Sequence, residues 1–266
     1  MLEDQYTSQE VTRVADEKSI IQDKLAIEEP LELRLAGETI AITMRTPGDD
    51  SVLAKGFFFS EGFITDPSQV ARVVHCGRTR TPEYGNVIDV LPAPGVLLNF
   101  EGPGLQKRGT LMSSACGVCG RTQIDDLIAR CEPFNGFSDI PADGVYSFIS
   151  VLGKTQPLFD LTGGVHAAAA FLSDGSLVAC YEDVGRHNAT DKVVGRLFES
   201  GMIGKVSVLV VSGRVSFEIV QKAAMARIPA IIGISAPTSL AVELSRALKL
   251  TLIGFARGGR WNIYTG

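Results

Sequence analysis

Between residues 206 and 255 the chain alternates three apolar runs with two amphipathic stretches, and this pattern constrains the fold more than any other feature. Val206 to Val211, Ala230 to Ile234 and Leu250 to Phe255 are continuous apolar runs, as strands buried on both faces require. Ser216 to Arg227 and Thr238 to Leu248 read as helices, the second opened by Pro237-Thr238. Together they make a βαβαβ unit with two right-handed crossovers, an α/β core with a mostly parallel C-terminal sheet.

In open parallel sheets ligands bind beyond the carboxyl ends of the strands. Three such ends are legible: Ser212-Gly213-Arg214, Ser235-Ala236-Pro237-Thr238-Ser239 and Ala256-Arg257-Gly258-Gly259-Arg260. Each offers hydroxyls, backbone N–H groups or arginines, and two lead into helix N-termini, which favour anions. Arg257 and Arg260 bracket two glycines, so backbone can approach a phosphate while guanidinium groups grip it. No Gly-x-x-x-x-Gly-Lys-Ser/Thr occurs, nor a Gly-x-Gly-x-x-Gly after a strand. The loops therefore fit a large phosphorylated ligand better than a simple ATP substrate, against the plainer reading of ordinary loops and caps. Upstream, Glu182 to Lys192 is dense in ionisable residues. His187 and Asn188, between Asp183 and Asp191, read as a network that orders a loop and meets the ligand, or as an acid–base group. Lys192 is a phosphate contact or a surface charge.

The first half has a different texture. Leu31 to Leu35 and Thr39 to Met44 alternate apolar and polar around Ala36-Gly37, a β-hairpin. Asp49 and Asp50 read as caps of a helix over Ser51 to Phe63 that buries Leu53, Phe57 and Gly56 or Phe59, with Glu61 at its solvated end. Ala71 to Cys76, Val87 to Leu91 and Val96 to Phe100 are short strand candidates, and their short links predict antiparallel pairing. Residues 1 to about 22 read as a loosely held polar tail able to join a sheet. A boundary at Pro133 to Pro141 divides a β-rich part, 1–135, from an α/β core, 136–266.

The five cysteines include one Cys-x-x-Cys, Cys116-Gly117-Val118-Cys119. Two such thiols can share a metal, close a disulfide, or let one sulfur act while the other assists. No second Cys pair or His pair completes a zinc site by motif, and no metal is expected. The pair follows a glycine-rich run, 101–109, read as a movable loop, and precedes a helix expected to start at Thr122. A thiol there, beside Arg121, gains thiolate character. A pair of small buried residues in a tight turn is the competing reading. The net charge of -5 gives no general reason to expect nucleic-acid binding. No apolar run reaches the roughly 18 residues of a membrane span, and the acidic start lacks the marks of a secretory signal. A cytoplasmic protein with reduced thiols is expected.

These strings together resemble the FdhD family. The resemblance rests on Arg45-Thr46-Pro47-Gly48-Asp49-Asp50, on Ser114-Ala115-Cys116-Gly117-Val118-Cys119-Gly120 and on Thr162-Gly163-Gly164-Val165-His166. It extends through Glu182-Asp183-Val184-Gly185-Arg186-His187-Asn188, Ser212-Gly213-Arg214, Ser235-Ala236-Pro237-Thr238-Ser239 and Gly254-Phe255-Ala256-Arg257. It implies a cytidine-deaminase-like three-layer core. It implies a sulfur carrier that accepts sulfur from a cysteine desulfurase and transfers it to the molybdenum or tungsten bis(molybdopterin guanine dinucleotide) cofactor needed by formate dehydrogenase. Cys116 would carry the persulfide, with Cys119 assisting, and Phe255, Ala256, Arg257, Gly258, Gly259 and Arg260 would meet the guanine nucleotide. A homodimer is the expected assembly. A non-catalytic chaperone of the same cofactor is the alternative. Deaminase chemistry itself is not expected, because Ala167-Ala168 follows His166 where zinc deaminases place a glutamate, and Ala115 stands where they place proline.

Overall fold

In the computed structural model of the chain, residues 2–76, 85–96, 112–113, 127–128 and 130–266 are described. The Cys116/Cys119 pair, the run 101–109, the helix start at Thr122 and most of the strand expected over Val96 to Phe100 lie outside these residues.

The C-terminal half is built on a six-stranded sheet. Its strands are β8 (His166–Phe171), β9 (Leu177–Asp183), β10 (Val208–Val211), β11 (Ala230–Gly233), β12 (Thr251–Arg257) and β13 (Arg260–Thr265). They lie in the order β13-β12-β11-β10-β8-β9. The expected βαβαβ unit is present: β10, β11 and β12 run parallel. The sheet as a whole is mixed rather than mostly parallel, because β8–β9, β8–β10 and β12–β13 pair antiparallel. The links β8–β9 and β12–β13 are too short for a crossover and force hairpins.

Alternation along the strands separates two layers of side chains. Ala167, Ala169, Val210 and Ile232 pack with Val145, Phe148 and Leu152 of α2 (Ala142–Lys154). Ala168, Ala170, Leu209 and Ile231 join the opposite core, with α4 (Arg186–Glu199), α5 (Phe217–Met225) and α6 (Ser239–Ala247). Alanine in four successive positions of β8 lets helices approach it on both faces. A short α3 (Pro157–Thr162) lies between α2 and β8.

The N-terminal sheet has the order β5-β6-β3-β4-β7, from β3 (Glu29–Leu35), β4 (Glu38–Arg45), β5 (Val70–His75), β6 (Val87–Pro92) and β7 (Met112–Ser113). The β3–β4 hairpin is as expected, with Ala36 and Gly37 at positive φ in its turn. Of the antiparallel pairing expected before residue 100, β5–β6 is present, but β3–β6 is parallel, since the chain makes a long excursion between them; β4–β7, beyond that stretch, is parallel too. Residues 2–22 are largely strand-forming, as a tail able to join a sheet allows, but more regular than a loosely held one. β1 (Tyr6–Val14) and β2 (Lys18–Ala26) form a two-stranded ribbon that among the described residues pairs only with itself, Val11 opposite Ile21.

The two halves share one core. α1 (Asp50–Glu61) covers β3 and crosses α4 with backbones touching. A Cβ on Gly56 would lie 1.9 Å from Asp191 O, and one on Gly195 would lie 1.9 Å from Val52 O. The capping role expected of the aspartates is corrected. Asp49 sits in the left-handed region and makes no side-chain cap. Asp50 is buried, its carboxylate accepting from Arg45 Nε at 3.0 Å and Nη2 at 3.1 Å.

Candidate functional site

The first turn of α4 lies under the carboxyl end of β10, and the ionisable residues of 182–192 sort themselves by partner there. Glu182 accepts from the N–H groups of Leu158 and Phe159 at 2.9 and 2.8 Å, tying down the start of α3. Asp183 pairs with Lys192 Nζ at 2.8 Å, both fully buried. Lys192 is therefore neither a phosphate contact nor a surface charge. It also donates to the carbonyls of Thr46 and Glu182, closing a buried pair that sequence alone cannot distinguish from a solvated one. Asp191 pairs with Lys222 Nζ at 2.7 Å. Burial pushes the Asp191 carboxyl up to about 6, opposed by the Lys222 charge. At neutral pH both partners are charged.

Asn188 is committed to structure. Its Nδ2 donates to Met44 O at 2.7 Å and to Asp183 Oδ1 at 3.1 Å, while Oδ1 accepts from Thr43 Oγ1 at 3.0 Å. His187 Nε2 lies 3.0 Å from Ser216 Oγ and 3.8 Å from Glu218 Oε2. Burial, then the Lys222 and Arg186 charges, push His187 down to about 4, so it is neutral at physiological pH. His166, at the start of β8, is likewise held low by burial and then by Arg186 and Arg214.

The strand-end residues divide. Ser212 continues β10 against β8: its N–H donates to Ala167 O and its Oγ accepts from Ala167 N, both at 2.9 Å. Gly213 is enclosed, since a Cβ there would lie 3.2 Å from Arg186 Cδ and 3.3 Å from His166 Nδ1. Arg214 is exposed. These three, with His166, Arg186, His187 and Ser216, converge on one face. Ser235 adjoins them, its carbonyl accepting from Phe255 N at 3.0 Å. Thr238 caps α6, Oγ1 accepting from Ala241 N at 3.4 Å. Phe255 stands at φ 54, 37% exposed, a strained aromatic at the end of β12 of the kind found where a ligand is met. Ala256 is buried. Gly258 and Gly259, both at positive φ, form the two-residue turn of the β12–β13 hairpin between paired Arg257 and Arg260. The turn already accounts for both glycines, and Tyr146 Oη donates to Gly259 O at 2.9 Å, fixing the tip to α2.

A cleft of about 520 Å³ opens beside this face. Ile149, Leu152, Phe159, Val165 and Ile234 make its apolar wall, Gly163 and Gly164 its backbone floor, and His166 and Ser212 its polar edge. Neither Arg186 nor this cleft follows from inspecting parallel strand ends, because β8, β9 and α2 build them. Among the described residues no three His, Cys, Asp or Glu side chains stand together as metal ligands, and no helix is long and apolar enough to cross a membrane.

Fold and site together define a mixed α/β protein with a candidate site at the carboxyl ends of three parallel strands. The FdhD/NarQ family profile matches residues 26–266, and the chain belongs to that family. Relatives named sulfur carrier protein FdhD include one from Anaeromyxobacter dehalogenans (strain 2CP-C), 48% identical over 251 residues, covering 92% of this chain and 87% of the relative. One from Mycobacterium tuberculosis is 43% identical over 261 residues, covering 94% and 93%. The crystal structure of a formate dehydrogenase accessory protein from Desulfotalea psychrophila superposes with a TM-score of 0.74 at 24% identity, covering 98% of this chain and 97% of that one. That likeness speaks for the fold alone.

Proposed function

We propose that the chain is a sulfur carrier in formate dehydrogenase maturation, with Cys116 as the sulfur-bearing residue. The observation that carries this reading is identity of 43–48% to proteins named as sulfur carriers, over more than nine-tenths of the chain. In the proposed step the Cys116 thiolate attacks the terminal sulfur of a cysteine desulfurase persulfide. The desulfurase S–S bond breaks, its thiolate leaves, and Cys116 holds the new persulfide, with no net oxidation. The molybdenum or tungsten bis(molybdopterin guanine dinucleotide) cofactor is the proposed acceptor and is substrate, not a resident group. The ligand face at Ser212–Arg214, Ser235 and Phe255, with its adjoining cleft, supports binding of a large phosphorylated molecule. A deaminase-like arrangement of the core and a cytoplasmic setting that keeps thiols reduced belong to the same reading.

Intact-protein mass spectrometry after incubation with a cysteine desulfurase and cysteine tests it. A reductant-labile gain of about 32 Da on the wild type and not on Cys116→Ala is expected. With a competent desulfurase, no gain on either protein sinks the carrier reading and leaves a cofactor chaperone. A gain on both moves the role to Cys119 or another thiol.

A further inference from the structure

We propose that the free edge of β5 and the groove beside it receive an extended acidic segment of a partner protein, which adds to the N-terminal sheet as a further strand. Among the described residues β5 is the outermost strand of that sheet. Cys76 N donates to Val87 O at 2.9 Å, so the alternation of the ladder turns the backbones of Val74 and Arg72 towards β6. The N–H and C=O groups of Val73 and His75 then face away from the sheet, and among the described residues no hydrogen bond meets them. The register slip between Val70 and Arg72 lies upstream, so Arg72 to His75 is a regular edge. It holds neither the proline nor the lysine with which natural sheets often blunt such an edge.

Two further observations say what fits there. The first is the groove, of about 370 Å³. Val70 and Val73 line one side, Lys55 of α1 the other, and Phe198 and Glu199 at the end of α4 close it. Val73 and His75 stand opposite Val90 and Ile88, both buried, so their side chains share the inner face, while Arg72, opposite Leu91, lies on the outer one. A strand laid along β5 therefore sends alternate side chains into the groove and past Arg72. The second observation is charge. Glu199 already serves two cations, Lys55 at 2.5 Å and Arg196 at 3.3 Å, and Asp49 acts on Arg196 at longer range. Arg72 is exposed and has no ion pair among the described residues. It is the cation that an incoming carboxylate completes. Apolar inward and acidic outward is the pattern these features select. β7, which ends at Ser113 just before the Cys116 segment, is at the opposite edge of the sheet, about 19 Å away across four strand spacings. A partner seated on β5 leaves that edge open, and the proposal rests on no step of the sulfur chemistry.

The test is fluorescence-anisotropy titration of the full chain with a labelled seven-residue peptide of alternating glutamate and valine, and with its lysine–valine counterpart. The wild type should prefer the glutamate probe and bind it more weakly as salt rises. Arg72→Glu should weaken that binding about 3- to 10-fold and improve binding of the lysine probe. His75→Pro removes one outward N–H and should weaken binding about 3- to 10-fold, whereas His75→Ala keeps the N–H and should bind like the wild type. Arg72 is exposed, so its variant remains folded and decides the matter even where His75→Pro does not fold. No binding by the wild type, equal affinity for the two probes, or an Arg72→Glu protein without the change of preference overturns the proposal. Equal loss in His75→Ala and His75→Pro overturns the addition of a strand. Sedimentation of the wild type and His75→Pro separates the remaining occupant: an oligomeric state that changes in the variant assigns the edge to a second copy of this chain and overturns the partner segment. The readout is independent of Cys116, so failure here leaves the sulfur reading standing, and loss of the persulfide leaves this one.

Discussion

Gly56→Ala should be one of the most damaging single-methyl additions available in this chain. The added Cβ would lie 1.9 Å from Asp191 O and 2.7 Å from Gly195 N, all of it backbone on the facing helix. Ordinary contact is roughly 3.5 Å, so α1 and α4 must part by roughly 1.5 Å. Parting them loosens the shared core that includes Leu53, Phe59, Val194 and Phe198, where the Phe59 and Phe198 rings pack at 5.2 Å. Overpacking of this kind costs about 3 kcal/mol or more, at the top of the usual range, and the better helix propensity of alanine returns about 1 kcal/mol. A net loss of about 2–3 kcal/mol lowers Tm by roughly 5–10 °C for a chain of this size. Gly153→Ala is the matched control, because a Cβ there meets nothing within 4 Å. It should leave Tm unchanged or raise it slightly. Thermal and urea unfolding of both variants decide the point, and a Gly56→Ala protein as stable as Gly153→Ala would refute the close-crossing argument.

Two other outcomes follow from the buried charges. Lys222→Met leaves Asp191 buried without its partner and should cost about 3–5 kcal/mol, while Asp191→Leu combined with Lys222→Met should recover most of it; urea unfolding in which the single variant lies within 1 kcal/mol of wild type would count against a charged pair. His187 should titrate by NMR near pH 4 rather than near 6.5. Because the unfolded chain then binds more protons between those values, this group removes stability as pH falls from 6.5 towards 4, at about 1.4 kcal/mol per pH unit. His187→Gln should remove that contribution, and an unchanged pH dependence of the urea midpoint would contradict it.

What was legible in the sequence depended on how much of the structural decision is local. The β10–β11–β12 unit and its helices are legible because doubly buried strands need continuous apolar runs and helices need their own period. The β3–β4 hairpin is legible because one face is buried and the other wet. The β1–β2 ribbon is not, since both its faces meet solvent and no alternation marks it. Parallel pairing of β3 with β6 is invisible for another reason: it joins segments separated by α1 and β5. At the candidate site, Ser212–Arg214 follow from the strand-end rule and Phe255 from the family resemblance, whereas Arg186 enters from the end of an antiparallel hairpin that the rule does not inspect. In one dimension Lys192 reads equally as a phosphate contact or a surface charge, and Asn188 as part of a network that orders a loop and meets a ligand. Only the neighbouring Thr43, Met44 and Thr46 make them buried fastenings.

Those fastenings explain why a β-rich half is joined to this core at all. α4 carries both Arg186 and His187 on its first turn, and a first turn is where a helix is most prone to fray. Here it has no side-chain cap of its own. Its order comes from outside: Asn188 is held by β4, Lys192 reaches the carbonyl of Thr46, Asp191 lies beneath Ser60 of α1, and Gly195 seats α1 itself. Each contact comes from the N-terminal half and acts on a side chain or backbone of α4 within three turns of its N-terminus. The N-terminal half thus acts as a clamp on the first turn of α4, holding Arg186 and His187 in place from outside the helix.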